Sequence, residues 1–270
     1  MKDLLTRYAR SAYTVFKQLK LKGLITAFSS GAEFSQLIKP LGSRPLILSG
    51  HPGDEVMAMG GTMAWYGKLK APVAVVTFTA GRRGTNTGRM SKSLGPKRRK
   101  EQIAAFGVLP VEVHPTYWDL DERFPVTEDL IFQLLETVDE INPDIIYVPS
   151  LLDIHPDSQA LNRALVSVIE RLPSPRLKNL QIAQYELWTP IVPNKILSLD
   201  GYEETKQKAI ECHESQLLCR NYLDAMLGLN RYRAAMLGAG NYAEAFFVCS
   251  AKQYVEFLNI RPAPVIEMLP

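Results

Sequence analysis

The sequence predicts an α/β fold: a Rossmann-like, mostly parallel sheet with helices on both faces. Short apolar runs alternate with stretches of helical periodicity along most of the chain, as in Leu46 to Leu48, then Glu55 to Lys68, then "PVAVVTFTA". The runs are apolar almost without interruption, as strands covered on both faces require. Two His-Pro segments, His51 to Glu55 and His155 to Ser158, each come directly after an apolar run. Ligands in such sheets bind outside the carboxyl ends of the strands.

The elements follow in order. After a polar connector around Ser29 to Ser43, a strand over Leu46 to Ser49 leads into a helix from about Glu55 to Lys68. The second strand ends near Ala80. The stretch "GRRGTNTGRMSKSLGPKRRK" reads as a mobile loop entering a helix near Pro96 that stops at Gly107. A short strand around Val111 to His114 and a polar loop through Asp119 to Pro125 come next. An amphipathic helix over Thr127 to Ile141 then precedes the buried strand "DIIYVPS" and the helix after His155. The remainder holds a strand in "LQIAQYELW", a connector with Pro190 and Pro193, a long helical stretch from Tyr202, "EAFFVCS" and a proline-rich tail.

At 270 residues, with 46% hydrophobic and 22% charged side chains, the chain has the size and composition of one large soluble domain. We read residues 1–43 as an N-terminal amphipathic helix and connector, and residues 44–270 as a single α/β domain. A net charge of +3 is too small to imply a nucleic-acid partner. No run approaches the roughly 20 apolar residues that span a bilayer. The first 24 residues lack the compact apolar stretch and cleavage site of a signal peptide. Cys212, Cys219 and Cys249 show no CxxC spacing and read as reduced thiols of a cytoplasmic protein. The N-terminal segment places Leu4, Leu5, Tyr8, Ala12, Val15, Phe16 and Leu19 on one helical face, with lysines and arginines mostly off it. Such a helix can lie on an anionic membrane surface, as a peripheral protein would. Docking on its own domain or on a partner subunit, as in a homo-oligomer, is the plainer reading.

Each His-Pro segment has a structural explanation. Pro52-Gly53 suits the centre of a type II turn, and Asp54 suits a helix N-cap with Glu55 against the dipole. Asp157 or Ser158 could cap the next helix in the same way. Taken together, the two segments suggest more. Imidazole and carboxylate suit a zinc-type ion, and His51 and Asp54, three residues apart on a tight turn, can point at one spot above the sheet. His155 and Asp157 bring acid/base groups to the same rim. The Arg82 to Lys100 stretch has eight basic residues and no acid, so it is either a solvated loop or an overhang that contacts an anionic substrate. It has no P-loop or dinucleotide fingerprint, and the absence of G-x-S-x-G argues against an esterase. Trp118, Tyr185 and Trp188 read as core or as walls of a sugar pocket.

These segments resemble the PIG-L/LmbE-like N-deacetylases. "LILSGHPGDEVMAMGGTMA" resembles that family's A-H-P-D-D-E strand-turn-helix, and "NPDIIYVPSLLDIHPDSQAL" its D-x-H-P-D-H segment. "TFTAGRRG", "RRKEQIAAFGV" and "KQKAIECHESQL" resemble its Thr-x-Gly loop, its R-x-x-E helix and its late Lys…His-x-Ser-Gln helix. The resemblance implies a Rossmann-like fold and amide hydrolysis on an N-acetylated sugar conjugate or a similar anionic glycan. It assigns zinc binding to His51 and Asp54 and transition-state assistance to His155 and Asp157; the basic stretch, read as an overhang, adds Arg82, Arg83 and Arg98 as substrate contacts. Two positions depart from it. Gly53 stands where the family's general base would be, and Ser158 where its third zinc ligand would be. Both losses imply a weakened zinc site and degenerate or altered hydrolase activity; the alternative is an inactive member that binds a glycan or a partner.

Overall fold

The computed structural model of the chain describes residues 34–84 and 90–258. The N-terminal amphipathic segment, the middle of the basic loop and the proline-rich tail fall outside them. Strand β2 (Pro45–Ser49) is buried along its whole length, and period-two alternation decides which layer each side chain joins. Leu46 and Leu48 pack into one core layer, with Ile146 and Val148 of β5 (Ile145–Pro149). Ile47 faces the other layer, with Ile145 and Tyr147. The first layer is closed by α3 (Glu128–Ile141) and α4 (Pro156–Ile169), and the second by α1 (Asp54–Lys68), α2 (Leu94–Val108) and α6 (Glu203–Glu211).

Among the described residues the sheet has eight strands, in the order β1-β7-β8-β6-β5-β2-β3-β4. The others are β1 (Ser35–Leu37), β3 (Val73–Thr79), β4 (Val113–Leu120), β6 (Gln181–Tyr185), β7 (Lys195–Ser198) and β8 (Ala243–Ser250). Only β8 runs antiparallel to its neighbours, β6 and β7. From β2 the chain moves outward to β3 and β4, then returns to place β5 on the other side of β2. That reversal makes the carboxyl ends of β2 and β5 the topological switch point, the standard ligand crevice of such sheets. Both His-Pro turns emerge there.

The sequence reading and the structure differ in several places, among them β7, which lies in the stretch read as a connector. Ser35–Leu37, within the polar connector, pairs in parallel with Lys195–Leu197 as an edge strand. Strand β4 extends to Leu120, through residues read as loop, because as an edge strand it leaves half its side chains exposed and carries no continuous apolar run. The helical stretch from Tyr202 is three helices, α6, α7 (Glu214–Leu217) and α8 (Tyr222–Leu237); a short α5 (Ser174–Leu177) and α9 (Ala251–Leu258) are further additions.

A buried ionic group ties the late helices to the sheet. Lys206 Nζ lies 2.7 Å from Glu244 Oε1 and 2.8 Å from Asn230 Oδ1. Glu244 also accepts the N–H groups of Gly61 and Thr62, just beyond the non-helical Met59 that interrupts α1. The kink frees backbone donors, and the carboxylate satisfies them.

Candidate active site

The first turn is type II, as its residues predict. Asp54 N–H donates to His51 O at 3.2 Å, and Gly53 sits at φ +99°, a conformation that L side chains rarely adopt. The helix starts at Asp54, with Gly53 in the cap position, so Asp54 is not the N-cap its sequence position suggested. Its Oδ2 instead turns back to accept the His51 N–H at 2.9 Å and to meet His51 Nδ1 at 3.0 Å. In the second turn the N-cap is His155 itself, whose Nδ1 accepts the Asp157 N–H at 3.2 Å, with Pro156 in the first helical position.

The two turns meet. His51 Nε2 lies 3.0 Å from Asp157 Oδ2, and the rings of His51 and His155 pack edge to face with centroids 4.7 Å apart. Among the described residues, His51, His155 and Asp157 form the group whose ligand atoms all fall within 4.8 Å of one another. Asp54 stands beside this group, bonded to His51. Asp157 is fully buried, and its other oxygen accepts the Arg123 N–H.

Charge follows from this packing. Burial opposes a charge on His51, but the Asp54 carboxylate and the hydrogen bonds His51 donates to Asp157 and Asp54 outweigh it and push the imidazole up to about 9. Both nitrogens then donate, one to each carboxylate. Burial acts against ionised Asp54 too, and the charge and hydrogen bond of His51 hold it low. His155 is lowered by burial and by the neighbouring His51. The donor set of two imidazoles and a carboxylate fits a zinc-type ion, which would take the place of the proton on His51 Nε2. Asp54, on the opposite nitrogen, then has the place of the carboxylate that orients a ligating histidine.

The cluster opens into a cavity of about 700 Å³ bordered by Arg83, Arg98, Glu122, Arg123, Trp188 and Arg220, among others. Of the three arginines expected to meet substrate, Arg83 and Arg98 border it and Arg82 does not. Arg82 pairs with Asp121 at 2.9 Å. Arg98 is buried and donates to Pro52 O and Gly81 O, bracing the first turn against the loop after β3. Glu101, three residues on, accepts the N–H and hydroxyl of Ser215 and so fixes the start of α7. Trp188 stacks on His155 at 5.7 Å, whereas Trp118 packs on Phe78 and Tyr185 is fully buried. Arg123, Arg220 and Tyr222 were not singled out in the sequence. Arg220 and Tyr222 lie just past the His-x-Ser-Gln segment, the one local signal that pointed near them.

The two departures can now be located. A Cβ built on Gly53 would stand 2.8–3.2 Å from three ring atoms of His213, so that imidazole fills the space a side chain at position 53 would need. Both His213 nitrogens are buried without a hydrogen-bond partner, and burial, with Arg98 nearby, lowers it to about 4. Ser158 is buried and is not among the residues that border the cavity. His114 is largely exposed on β4.

A doubly wound α/β sheet with an imidazole–carboxylate cluster at its switch point defines the class. A family model described as PIG-L, GlcNAc-PI de-N-acetylase, matches residues 46–169. A protein of Bacillus anthracis described as a probable N-acetyl-alpha-D-glucosaminyl L-malate deacetylase 2 is 25% identical over 185 residues, 63% of this chain and 80% of that one. A 1D-myo-inositol 2-acetamido-2-deoxy-alpha-D-glucopyranoside deacetylase of Mycobacterium sp. (strain KMS) is 29% identical over 175 residues, 55% of this chain and 57% of that one. The N,N'-diacetylchitobiose deacetylase from Pyrococcus horikoshii shares the fold with a TM-score of 0.67 at 21% identity, covering 84% of this chain and 89% of that one. So does GalB, the 4-carboxy-2-hydroxymuconate hydratase of Pseudomonas putida KT2440, at 0.60 and 22%, covering 76% and 95%. Residues 46–169 carry the similarity to the PIG-L family, and the fold is that of the LmbE-like deacetylase structures. The hydratase shows that this fold by itself does not fix the reaction. Among the described residues no helix is long and apolar enough to cross a membrane.

Proposed function

We propose that the protein is a metal-assisted amide hydrolase acting on an N-acetylated sugar conjugate, with a weakened catalytic set. One observation carries this reading: His51, His155 and Asp157 converge in the wall of a large polar cavity, while no carboxylate stands at position 53 and no imidazole at position 158. In the reaction, water adds to the acyl carbon, the C–N bond breaks, the amine takes a proton and a carboxylate leaves. His51, His155 and Asp157 would hold the ion, which when bound polarises the amide carbonyl and lowers the pKa of water. Asp54 orients His51, and Arg83, Arg123 and Arg220 offer positive charge to an anionic part of the conjugate.

The weakness has a physical origin. His155 can hold a cation or hand a proton to the leaving amine, but one nitrogen cannot do both in one step. A missing general base typically costs roughly 10²- to 10⁴-fold in rate. His213 lies behind Gly53 and is fully buried, so it cannot reach substrate as it stands. The loss of both groups also supports a second reading, an inactive glycan-binding member. The test pairs metal analysis of the purified chain with acetate release from N-acetylglucosaminyl conjugates. Zinc at one equivalent with slow turnover that Asp157→Ala abolishes supports the hydrolase. Sugar binding with no acetate released, with or without added zinc, overturns it in favour of the binding reading. We place the protein in the cytoplasm, with a single domain that reaches back beyond residue 44 to include β1, Ser35–Leu37.

A further inference from the structure

A second cavity, of about 250 Å³, adjoins the first and shares Asp54, Arg98, Trp188, Gln216, Arg220 and Tyr222 with it. Its remaining walls differ in kind. Met57 comes from the first turn of α1, Leu187 follows β6, and Ala225 and Met226 come from the first turn of α8; Asn221, the N-cap of α8, is the polar exception. Met57 and Leu187 are buried within the core layer formed by α1, α2 and α6, and Trp188, Tyr222 and Met226 pack against it. The branch therefore has an apolar wall of core side chains, Met57 and Leu187, faced by Ala225 and Met226 of α8, beside a polar reaction centre. It lacks Arg83, Glu122, Arg123, His155 and Asp157 of the main cavity; its own charged residues, Asp54, Arg98 and Arg220, are the ones the two cavities share.

A sugar with its hydroxyls and an anionic aglycone match the main cavity. The one apolar portion of an N-acylated sugar is its acyl chain, and an acetyl methyl is far too small for the branch. At about 30 Å³ per water-sized group, the branch holds roughly eight. The geometry points to an acyl subsite: the protein takes N-acyl sugars whose chain is several carbons longer than acetyl, with Met57, Leu187, Ala225 and Met226 setting the accepted length. This rests on the sugar amide reading above and extends it to the acyl group.

Binding tests it without depending on turnover. The full chain is titrated calorimetrically, with and without zinc, with the methyl glycosides of N-acetyl- and N-hexanoylglucosamine and with hexyl N-acetylglucosaminide. Burial of four extra methylenes sets a ceiling of roughly two-hundredfold. The hexanoyl sugar should bind at least tenfold more tightly than the acetyl sugar. Ala225→Phe, which fills the branch from an exposed helix position, should cut that gain below threefold and leave the acetyl sugar's affinity unchanged. Equal affinities for the two acyl sugars in the wild type, or a gain that survives Ala225→Phe, overturn the acyl subsite alone. A gain shown by the hexyl glycoside and not by the hexanoyl sugar overturns it in favour of an aglycone site. A protein that binds none of the three sugars overturns the sugar reading as well.

Discussion

The turns after β2 and β5 both carry His-Pro and an aspartate, yet each uses them differently. After β2 the histidine opens a type II turn, the helix begins three residues later, and the aspartate bends back onto that histidine. After β5 the histidine is the N-cap, proline is the first helical residue, and the aspartate reaches across to the other turn. One turn therefore holds its own histidine in place, and the other supplies two groups to a shared centre. The same residue types gain different roles because the helix starts at a different point relative to the histidine.

Deleting the bridge between the turns should have the largest effect. Asp157→Ala leaves the His51 ring and the Arg123 N–H without their buried acceptor. We expect zinc affinity to fall at least 100-fold and stability by about 3 kcal/mol, measured by zinc competition and urea unfolding. A smaller loss than that of Asp54→Ala would mean that the two turns are not coupled through Asp157.

His213 probes the space behind the first turn. Its folded value of about 4 lies below the ordinary 6.5, so between those pH values the unfolded chain binds the proton and the folded chain does not. Stability on its account is complete above pH 6.5 and is lost as pH falls toward 4, by about 3 kcal/mol. Glu55, raised to about 7 by burial, pulls the opposite way between 4.5 and 7. The test is consequently the difference between the wild type and His213→Gln, whose stability curves should diverge only below pH 6.5. Parallel curves would show that His213 is not buried as a neutral ring.

Restoring the first turn's missing carboxylate should fail by itself. Gly53→Asp meets both a left-handed backbone and the His213 ring, and we expect it to cost about 1–3 kcal/mol. Adding His213→Ala opens the space and should recover part of that loss in thermal unfolding. The smallest effect belongs to the basic loop. Arg82→Ala removes a half-exposed ion pair outside the cavity and should change stability and anion binding by less than about 1 kcal/mol. Arg83→Ala with Arg220→Ala should weaken binding of an anionic sugar in a salt-dependent way.

Much of this was legible in the chain. The strands β2, β3 and β5 are largely apolar runs, and the switch point follows from their alternation with helices. Strand β1 was not legible, because three residues become a strand only by pairing with Lys195–Leu197, some 160 positions away. Arg82 and Arg83 are indistinguishable as neighbours in sequence, and only the loop's path sends one toward the cavity and the other toward Asp121. The vacancy at Gly53 was visible as a residue type, but nothing local says that His213 stands behind it. The sequence put His51, Asp54, His155 and Asp157 at one rim; that His51 meets His155 and Asp157 while Asp54 bonds back to His51 could be read only from the geometry.

The most direct test of that arrangement is a zinc titration against a chromophoric chelator, comparing wild type, His155→Ala and Asp54→Asn. The cluster predicts one zinc per wild-type chain, a loss of at least 100-fold for His155→Ala and a smaller loss, about tenfold, for Asp54→Asn. Wild-type affinity in His155→Ala together with abolished binding in Asp54→Asn would contradict it and return the ion to the first turn alone.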